Sequence, residues 1–132
     1  MSTLEVSNLN DGTTTVETTY ITNGSSKVWI NLNQQSTQFI RDSFNVSSLT
    51  DNAVADSSVA YTNSFNYSYN YAVTGHVAYY GNLKFLSFRG LGSTNKLAGQ
   101  IDLRNGWVNS TGGSLGSEDA GDLNLIMQGD LA

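Results

Sequence analysis

Residues 38–52 read QFIRDSFNVSSLTDN, and this stretch indicates the fold class of the whole chain. Successive side chains of a strand point to opposite faces, so a period of two places alternate residues together. On this pattern one sheet face carries three large apolar side chains, Ile40, Phe44 and Val46. Arg41 and Asp42 then point to opposite faces, and each needs water or a partner from another strand or subunit. We interpret the stretch as structural rather than catalytic.

The same alternation recurs along the rest of the chain, with turn residues at roughly 8–12-residue spacing. No segment has a convincing period of 3.6, and we expect eight or more short strands. Those outside the opening stretch are expected at about 27–33, 58–62, 65–71, 72–80, 83–89, 100–104 and 123–128. The sequence therefore predicts an all-β fold, a β-sandwich of jelly-roll type.

Aromatic residues on two of these strands can be interpreted either as packing residues or as ligand contacts. Trp29 lies opposite the apolar face of its strand, so it needs cover from a second sheet or a subunit, or else serves as a ligand platform. The run FNYSYNY predicts a strand in which Tyr67, Tyr69 and Tyr71 share one face. Half-buried sheet surface is the favoured interpretation of this face, and a stacking ladder for a ligand is the other.

The second half of the chain gives four further expectations. Gly75 marks a bulge or a close approach. The strand at 83–89 is apolar on both faces, which favours the centre of a sandwich or a subunit contact. Asn105-Gly106 predicts a turn, and the glycine- and serine-rich stretch 109–121 predicts an exposed, mobile loop.

Residues 1–26 are expected to form a short, extended attachment arm, and residues 27–132 the sandwich domain. Asp11-Gly12 is a hairpin signal, and Val16, Thr18 and Tyr20 alternate after it. A lone hairpin is marginal in water, so we expect the arm to dock on the domain or on a neighbouring protein. The alternative is a frayed terminus. The proposed attachment residues are Leu4, Val6, Val16 and Tyr20.

Composition excludes several classes of partner. The 132 residues carry a net charge of −5, which argues against nucleic acid, and only 13% are charged, so hydroxyls and amides must coat the surface. There is no cysteine, hence no disulfide or thiolate site. We expect neither a signal peptide nor a membrane insertion, since no stretch has the required apolar length.

Catalytic patterns are weak. His76 is the sole histidine, and no G-x-S-x-G nucleophile motif accompanies it. Two groups of oxygen ligands, Asp51-Asn52-Asp56 and Glu118-Asp119-Asp122, could bind Ca²⁺, but neither has EF-hand spacing. We therefore expect no catalytic residue, no metal and no cofactor, and interpret the chain as a non-enzyme.

The segments KVWINLN, FIRDSFNVSSLTDN, YAVTG and LIMQGDLA resemble a family of small tail-fibre or virion-associated proteins of tailed bacteriophages, of marine and cyanophage type. The resemblance covers about residues 27–132. The chain departs from the family pattern after Asn52, where a glycine-rich turn is missing, and at Gln128, where an aromatic residue is usual.

The resemblance implies a structural protein of the virion, made in the host cytoplasm and assembled as a homotrimer. Expected partners are other copies of the chain, tail or capsid proteins and, for a fibre, host surface glycans. The predicted receptor contacts are Tyr79, Tyr80, Trp107 and Asn109. The alternative is a capsid decoration protein, either a cement or a head-fibre protein, that docks through its N-terminal arm.

Overall fold

The computed structural model describes residues 5–78, 83–88, 96–108 and 115–132. Most of these residues lie in β-strands and only one short helix is present among them, so the all-β prediction is confirmed. The elements in chain order are β1 (Asn8–Asn10), β2 (Thr15–Glu17), α1 (Thr18–Gly24), β3 (Ser26–Asn33), β4 (Phe39–Phe44), β5 (Val46–Ala53), β6 (Asp56–Tyr61), β7 (Tyr71–Ala78), β8 (Leu83–Phe88), β9 (Gln100–Val108), β10 (Leu115–Ser117) and β11 (Asp122–Gly129).

Two antiparallel sheets form the sandwich. The first has the strand order β4-β3-β11-β7. The second runs β5-β6-β9, and β9 also pairs with β8 and with the short β10. The β1–β2 hairpin is a separate two-stranded sheet. The jelly-roll strand order stays a prediction.

The core lies between the facing sides of these two sheets. Alternate residues of β3 and β11 are fully buried there, as period-two spacing predicts. From the other sheet, Val59, Ile101 and Leu103 meet them, each at 0% exposure. Gly75 is a close approach, as expected, because a Cβ at this position would lie 2.6 Å from Cδ2 of Leu125.

The opening stretch forms two strands in different sheets, so the prediction of one shared face is wrong. A β-bulge at Arg41 shifts the register, since Ile40 pairs with Leu32 whereas Asp42 pairs with Asn31. As a result Ile40 packs on the core, but Phe44 points outward and is 54% exposed. Asn45 then turns the chain at a φ of 58°.

Asn45 fastens the corner that it forms. Its side-chain amide donates to the backbone oxygens of Lys27 and Asn63, both at 3.0 Å, and its Oδ1 accepts from the Asn63 amide at 2.7 Å. Asparagine tolerates the left-handed conformation better than most residues. The corner therefore places β5 in the second sheet, where Val46 reaches the core.

The predicted tyrosine strand is also wrong. Residues 66–70 form bends, and β7 begins only at Tyr71. Tyr67 and Tyr69 are 66% and 60% exposed, whereas Tyr71 is buried. Its ring stacks on Phe65 with the centroids 4.1 Å apart, and the Tyr61 ring meets Phe65 edge-on at 5.5 Å. Of this run, only Phe65 and Tyr71 pack in the core, where the chain crosses from β6 in the second sheet to β7 in the first.

Strand β9 continues through Asn105 and Gly106, where a turn was predicted. The Asn105 amide nitrogen donates to Ala55 O at 3.0 Å, and its side-chain Nδ2 donates to Glu118 O. Gly106 lies under the Phe85 ring, because a Cβ there would be 2.7 Å from Phe85 Cζ. These contacts with distant residues thus keep the Asn-Gly pair extended.

Strand β8 was expected at the centre of a sandwich, and that prediction is wrong. Among the described residues β8 pairs with β9 alone, which places it at an edge of its sheet. Leu86 packs on the core, while Phe85 on the opposite face is 41% exposed. The subunit-contact alternative is the one left open.

The predicted loop 109–121 contains a short strand and a buried residue. Residues 109–114 lie outside the described residues. Residues 115–117 form β10, and Ala120 is buried at 1% exposure. Ala120 is held because its backbone exchanges hydrogen bonds with Gln34, a residue of the β3–β4 connection.

Gln34 is the centre of a buried polar cluster. Its backbone N–H donates to Ala120 O at 2.8 Å, and its side-chain Oε1 accepts from the backbone N–H of Ala120 at 3.2 Å. Its Nε2 donates to Ser57 Oγ at 2.7 Å, and Ser57 in turn donates to Gln38 Oε1 at 2.6 Å. The cluster joins three separate segments of the chain.

The N-terminal arm contains the predicted hairpin, with Asp11 accepting the Thr13 and Thr14 amides at 2.9 and 2.7 Å. These backbone donors lower the pKa of Asp11. The expected alternation beyond the hairpin is wrong, since Tyr20 lies in helix α1. Leu4 lies outside the described residues, and Val6, Val16 and Tyr20 are exposed.

Candidate functional site: the outer face of the four-stranded sheet

The side of the first sheet that faces away from the core carries two parallel rows of side chains. We name them the aromatic row and the amide row. Adjacent strands lie about 4.8 Å apart, so each row extends for about 14 Å across four strands. The rows follow directly from the strand register, because every member pairs with its neighbour in the row.

The aromatic row consists of Phe44, Trp29, Ile126 and Thr74, in spatial order. Phe44 and Ile126 are 54% and 44% exposed, and Trp29 is half-buried between them. Trp29 is thus covered on its flanks by cross-strand neighbours, while the row as a whole stays open to solvent. Such apolar rows are uncommon on a solvated sheet face, which normally carries polar side chains.

The amide row lies beside it, two residues further along each strand. It consists of Asp42, Asn31, Asn124 and His76. Amides and imidazole can both donate and accept hydrogen bonds, whereas the carboxylate only accepts. Asn124 donates to Asp122 Oδ1 at 3.0 Å, and Asn31 accepts from Arg41 at 3.2 Å, so two amides have fixed orientations.

The Arg41 side chain lies beside the amide row and binds residues at the start of β11. Its Nη1 lies 3.3 Å from Asp122 Oδ1, and its Nη2 donates to Gly121 O at 2.5 Å. Arg41 thus finds its partner on β11 and not in Asp42, whose Oδ1 accepts the Ser43 amide at 2.8 Å. Both charged side chains are well exposed, so the ion pair contributes about 0–1 kcal/mol to stability and mainly sets orientation.

The outer face is open rather than enclosed. A depression of about 220 Å³ lies at its β7 side, lined by Thr74, Gly75, His76, Asn124 and Ile126. Pockets that enclose a small molecule measure about 300–1,000 Å³. The face can therefore contact an extended ligand along its rows, but it does not surround one.

Among the predicted receptor contacts, Trp107 is the one that the described residues include, and it does not belong to this face. Trp107 is half-buried on β9 of the second sheet, where its indole lies against Gly116; a Cβ there would be 2.5 Å from Cζ2. Tyr79, Tyr80 and Asn109 lie outside the described residues. Sequence reasoning flagged Trp29 as a platform candidate but missed Ile126 and Asn124. Their outward direction was readable from the alternation, but their pairing was not.

The predicted oxygen-ligand groups serve the fold. Asp51 Oδ1 accepts from Gln38 at 2.9 Å, and Asp119 Oδ1 accepts the Ala55 amide at 2.7 Å. Within the described ranges, no three His, Asp or Glu side chains come together to hold a metal ion. No helix in that part of the chain has the length and apolar character to cross a membrane.

Ionisable groups are buried beside the aromatic core. Tyr61 Oη lies 3.3 Å from Tyr71 Oη, which donates to Leu97 O at 3.0 Å. Burial raises the pKa of both phenols above the ordinary value of 10.0. Lys96 donates to Tyr71 O and lies 4.2 Å from the centre of the Tyr71 ring. Partial burial lowers the pKa of Lys96.

These shifts predict a loss of stability in alkali. A phenol with a raised pKa stabilises the fold fully below pH 10.0, and that contribution falls as pH rises further. The slope is about 1.4 kcal/mol per pH unit for each such tyrosine. Lys96 acts oppositely only up to its ordinary value of 10.5, so we expect the net decline above that pH.

Urea unfolding between pH 8 and pH 12 measures this decline. Tyr61→Phe keeps the ring and removes the ionisable hydroxyl, so its free energy of unfolding should fall less steeply, by about 1.4 kcal/mol per pH unit. Tyr67→Phe, at an exposed phenol, is the matched control and should follow the parent protein. Equal slopes for all three proteins would contradict the assignment to Tyr61.

Comparison of the chain with models of protein families, with curated proteins and with solved structures finds no significant match. The resemblance to phage virion proteins therefore stays a prediction.

Proposed function

We propose that this chain is a non-enzymatic structural module of a tailed-phage virion, of tail-fibre type. In this proposal it assembles as a homotrimer and contacts host surface glycans. The observation that carries the glycan contact is the exposed aromatic row beside the amide row on the outer face of the four-stranded sheet. The low share of charged residues and the phage resemblance support the virion setting.

The chemistry of the two rows suits saccharides. A sugar ring offers an apolar C–H face, which packs on aromatic and aliphatic side chains, and hydroxyls, which need both donors and acceptors. Phe44 and Ile126 provide the first surface, and Asn31, Asn124 and His76 provide the second. A length of about 14 Å fits a short oligosaccharide better than a single ring.

Single substitutions in the aromatic row should weaken this contact without unfolding the protein. Phe44→Ser and Ile126→Ser alter exposed side chains, so we expect little loss of stability. Each should weaken binding to a responsive oligosaccharide by about tenfold or more, which corresponds to about 1.4 kcal/mol. The parent protein is first screened on an array of neutral bacterial-surface oligosaccharides. Calorimetry then measures the affinity of the parent protein and of each variant for the oligosaccharides that it retains.

Tyr67→Ser is the matched control, because Tyr67 is an exposed aromatic residue that belongs to neither row. Its binding should equal that of the parent protein. If the parent binds an oligosaccharide and both row variants bind it equally well, the outer face is not the contact surface. If the parent retains no oligosaccharide, the glycan proposal fails.

Capsid decoration is the second candidate, and one observation favours it. The arm exposes Val6, Leu9, Val16, Tyr20 and Ile21, which is an apolar surface available for docking on another protein. Immunogold labelling of intact particles separates the two candidates. Label on the tail supports the fibre-type module, whereas label spread over the head supports decoration.

A further inference from the structure

The chain contains two Asn-Gly pairs, Asn23-Gly24 and Asn105-Gly106. This dipeptide is chemically labile, because the backbone nitrogen that follows an asparagine can attack the side-chain carboxamide, and glycine has no Cβ to hinder the approach. The attack requires a backbone that is free to rotate the glycine nitrogen toward Cγ of the asparagine. The fold therefore decides which of the two pairs reacts.

The Asn105-Gly106 pair is held inside the second sheet. Asn105 is 1% exposed, and its side-chain Nδ2 donates to Glu118 O. Gly106 pairs with Phe85 of β8 on one side and with Ser117 of β10 on the other. Rotation of this peptide would separate β9 from both neighbours, so it requires unfolding of that part of the sheet.

The Asn23-Gly24 pair lies at the end of helix α1, and both of its residues are exposed. The helix has seven residues and buries none of them, and no side chain caps its N-terminus. Such a short, uncapped helix is marginal in water. Its last turn therefore opens by local unfolding at little cost in free energy, and Gly24 N is then free to rotate.

Hydrogen bonds next to this pair define the junction between the arm and the domain. Ser25 N donates to Ile21 O at 3.1 Å, which closes the helix end. Gln128 Nε2 donates to Gly24 O at 2.9 Å, which joins the helix end to β11. A change in the backbone at Asn23 acts directly on this junction, because Asn23 precedes Gly24.

We propose that Asn23 is a site of spontaneous covalent modification in the folded protein. Gly24 N forms a bond to Cγ of Asn23, the Cγ–Nδ2 bond breaks, and Nδ2 leaves as ammonia together with the proton of the Gly24 N–H. The product is a five-membered succinimide ring, which water opens at either carbonyl to give aspartate or isoaspartate. The inference does not depend on glycan binding or on a place in the virion.

Both products weaken the arm junction. Each adds a negative charge at the C-terminal end of α1, where the helix dipole is also negative and no basic residue lies in the last turn. Isoaspartate also inserts a methylene group into the backbone immediately before Gly24, which moves Gly24 O away from Gln128 Nε2. Modification at Asn23 therefore releases the end of α1 from β11.

Peptide mapping by mass spectrometry tests the site in the full-length chain. During incubation at neutral pH, Asn23 should convert about 100-fold faster than Asn105, because local opening of α1 costs much less free energy than opening of the sheet. In urea that unfolds the protein, the rates at the two pairs should converge. Equal rates in the folded protein, or conversion of Asn23 in urea alone, would overturn the inference.

Gly24→Ala tests the role of Gly24 N. A Cβ at this position meets no atom within 4 Å, and Gly24 does not have a positive φ, so the variant should fold like the parent protein. Alanine should slow the conversion of Asn23 by about fivefold through helix stabilisation alone, and its Cβ should slow the attack further. An unchanged rate would contradict attack by this nitrogen.

Hydrogen exchange measures the release of the helix. Amides of α1 should exchange faster in aged parent protein than in fresh protein, in proportion to the converted fraction. Asn23→Gln is the matched control, because it keeps the carboxamide but moves it one carbon too far to close the five-membered ring. Its aged and fresh samples should exchange alike. Equal exchange in fresh and fully converted parent protein would contradict the release of α1.

Discussion

Phe65→Ala is expected to lower the free energy of unfolding by about 3–5 kcal/mol, a large share of the stability of a domain of this size. Phe65 is 1% exposed, stacks on Tyr71 and meets Tyr61 edge-on. Truncation removes both ring contacts and leaves a cavity between the sheets. It also weakens the crossing where Phe65 pairs with Leu131.

Denaturant titration of Phe65→Ala against Tyr67→Ala measures this effect within one short segment. Both substitutions remove an aromatic ring, but Tyr67 is 66% exposed, so we expect its loss to cost about 0.5 kcal/mol or less. Similar losses for the two variants would contradict the position of Phe65 in the core. Phe65→Leu should retain part of the stability, because it refills much of the cavity.

Gln34→Ala is expected to cost about 2–4 kcal/mol, although it removes no apolar contact of the main core. Gln34 is 0% exposed, and its loss leaves the Ala120 amide nitrogen and Ser57 Oγ each without one hydrogen-bond partner. Each unsatisfied buried group costs about 1–3 kcal/mol, since no water replaces the lost bond.

The neighbouring Gln35→Ala is the control, because it makes the same chemical change at an exposed position. We expect its free energy of unfolding to stay within about 0.5 kcal/mol of the parent value. If water enters and satisfies the Gln34 site, the two variants will have similar stabilities, and the cluster is then not a stabilising element. Proteolysis near Ala120 should accelerate in Gln34→Ala alone.

Strands that are buried on one face were predictable from the sequence. In β3, the buried residues Val28, Ile30 and Leu32 alternate with residues that point outward, and the same alternation holds in β11. This pattern survives because the core removes every second side chain from water. The period of two fixes which residues point inward, and the all-β class follows from its repetition.

Backbone conformations that depend on distant partners were not predictable from the sequence. The FNYSYNY run alternates like a strand, but Tyr71 turns inward to stack on Phe65 and the intervening backbone bends. Asn105-Gly106 has the composition of a turn, yet Glu118 O and the Phe85 ring hold it extended. In both places tertiary contacts override the local preference.

In the candidate site, too, the features set by one strand were predictable and the features set by strand pairing were not. The outward direction of Trp29 follows from its own strand, whereas the rows exist only because β3 pairs with β11. Phe44 joins the aromatic row through the bulge at Arg41, which shifts its register by one residue. A bulge leaves no sequence signal here, since Arg41 is neither a glycine nor a proline.

The pairing of β3 with β11 also determines when the chain can fold. Ser26 lies opposite Gln128, so the central pair of the four-stranded sheet joins residues about a hundred positions apart. During synthesis β3 has one free edge until β11 leaves the ribosome. Of the seven described strands made in the meantime, β4 and β7 join the first sheet and the other five join the second. A free apolar edge can pair with another chain. The interval between the synthesis of these two strands is therefore the period in which this protein is most exposed to misassembly.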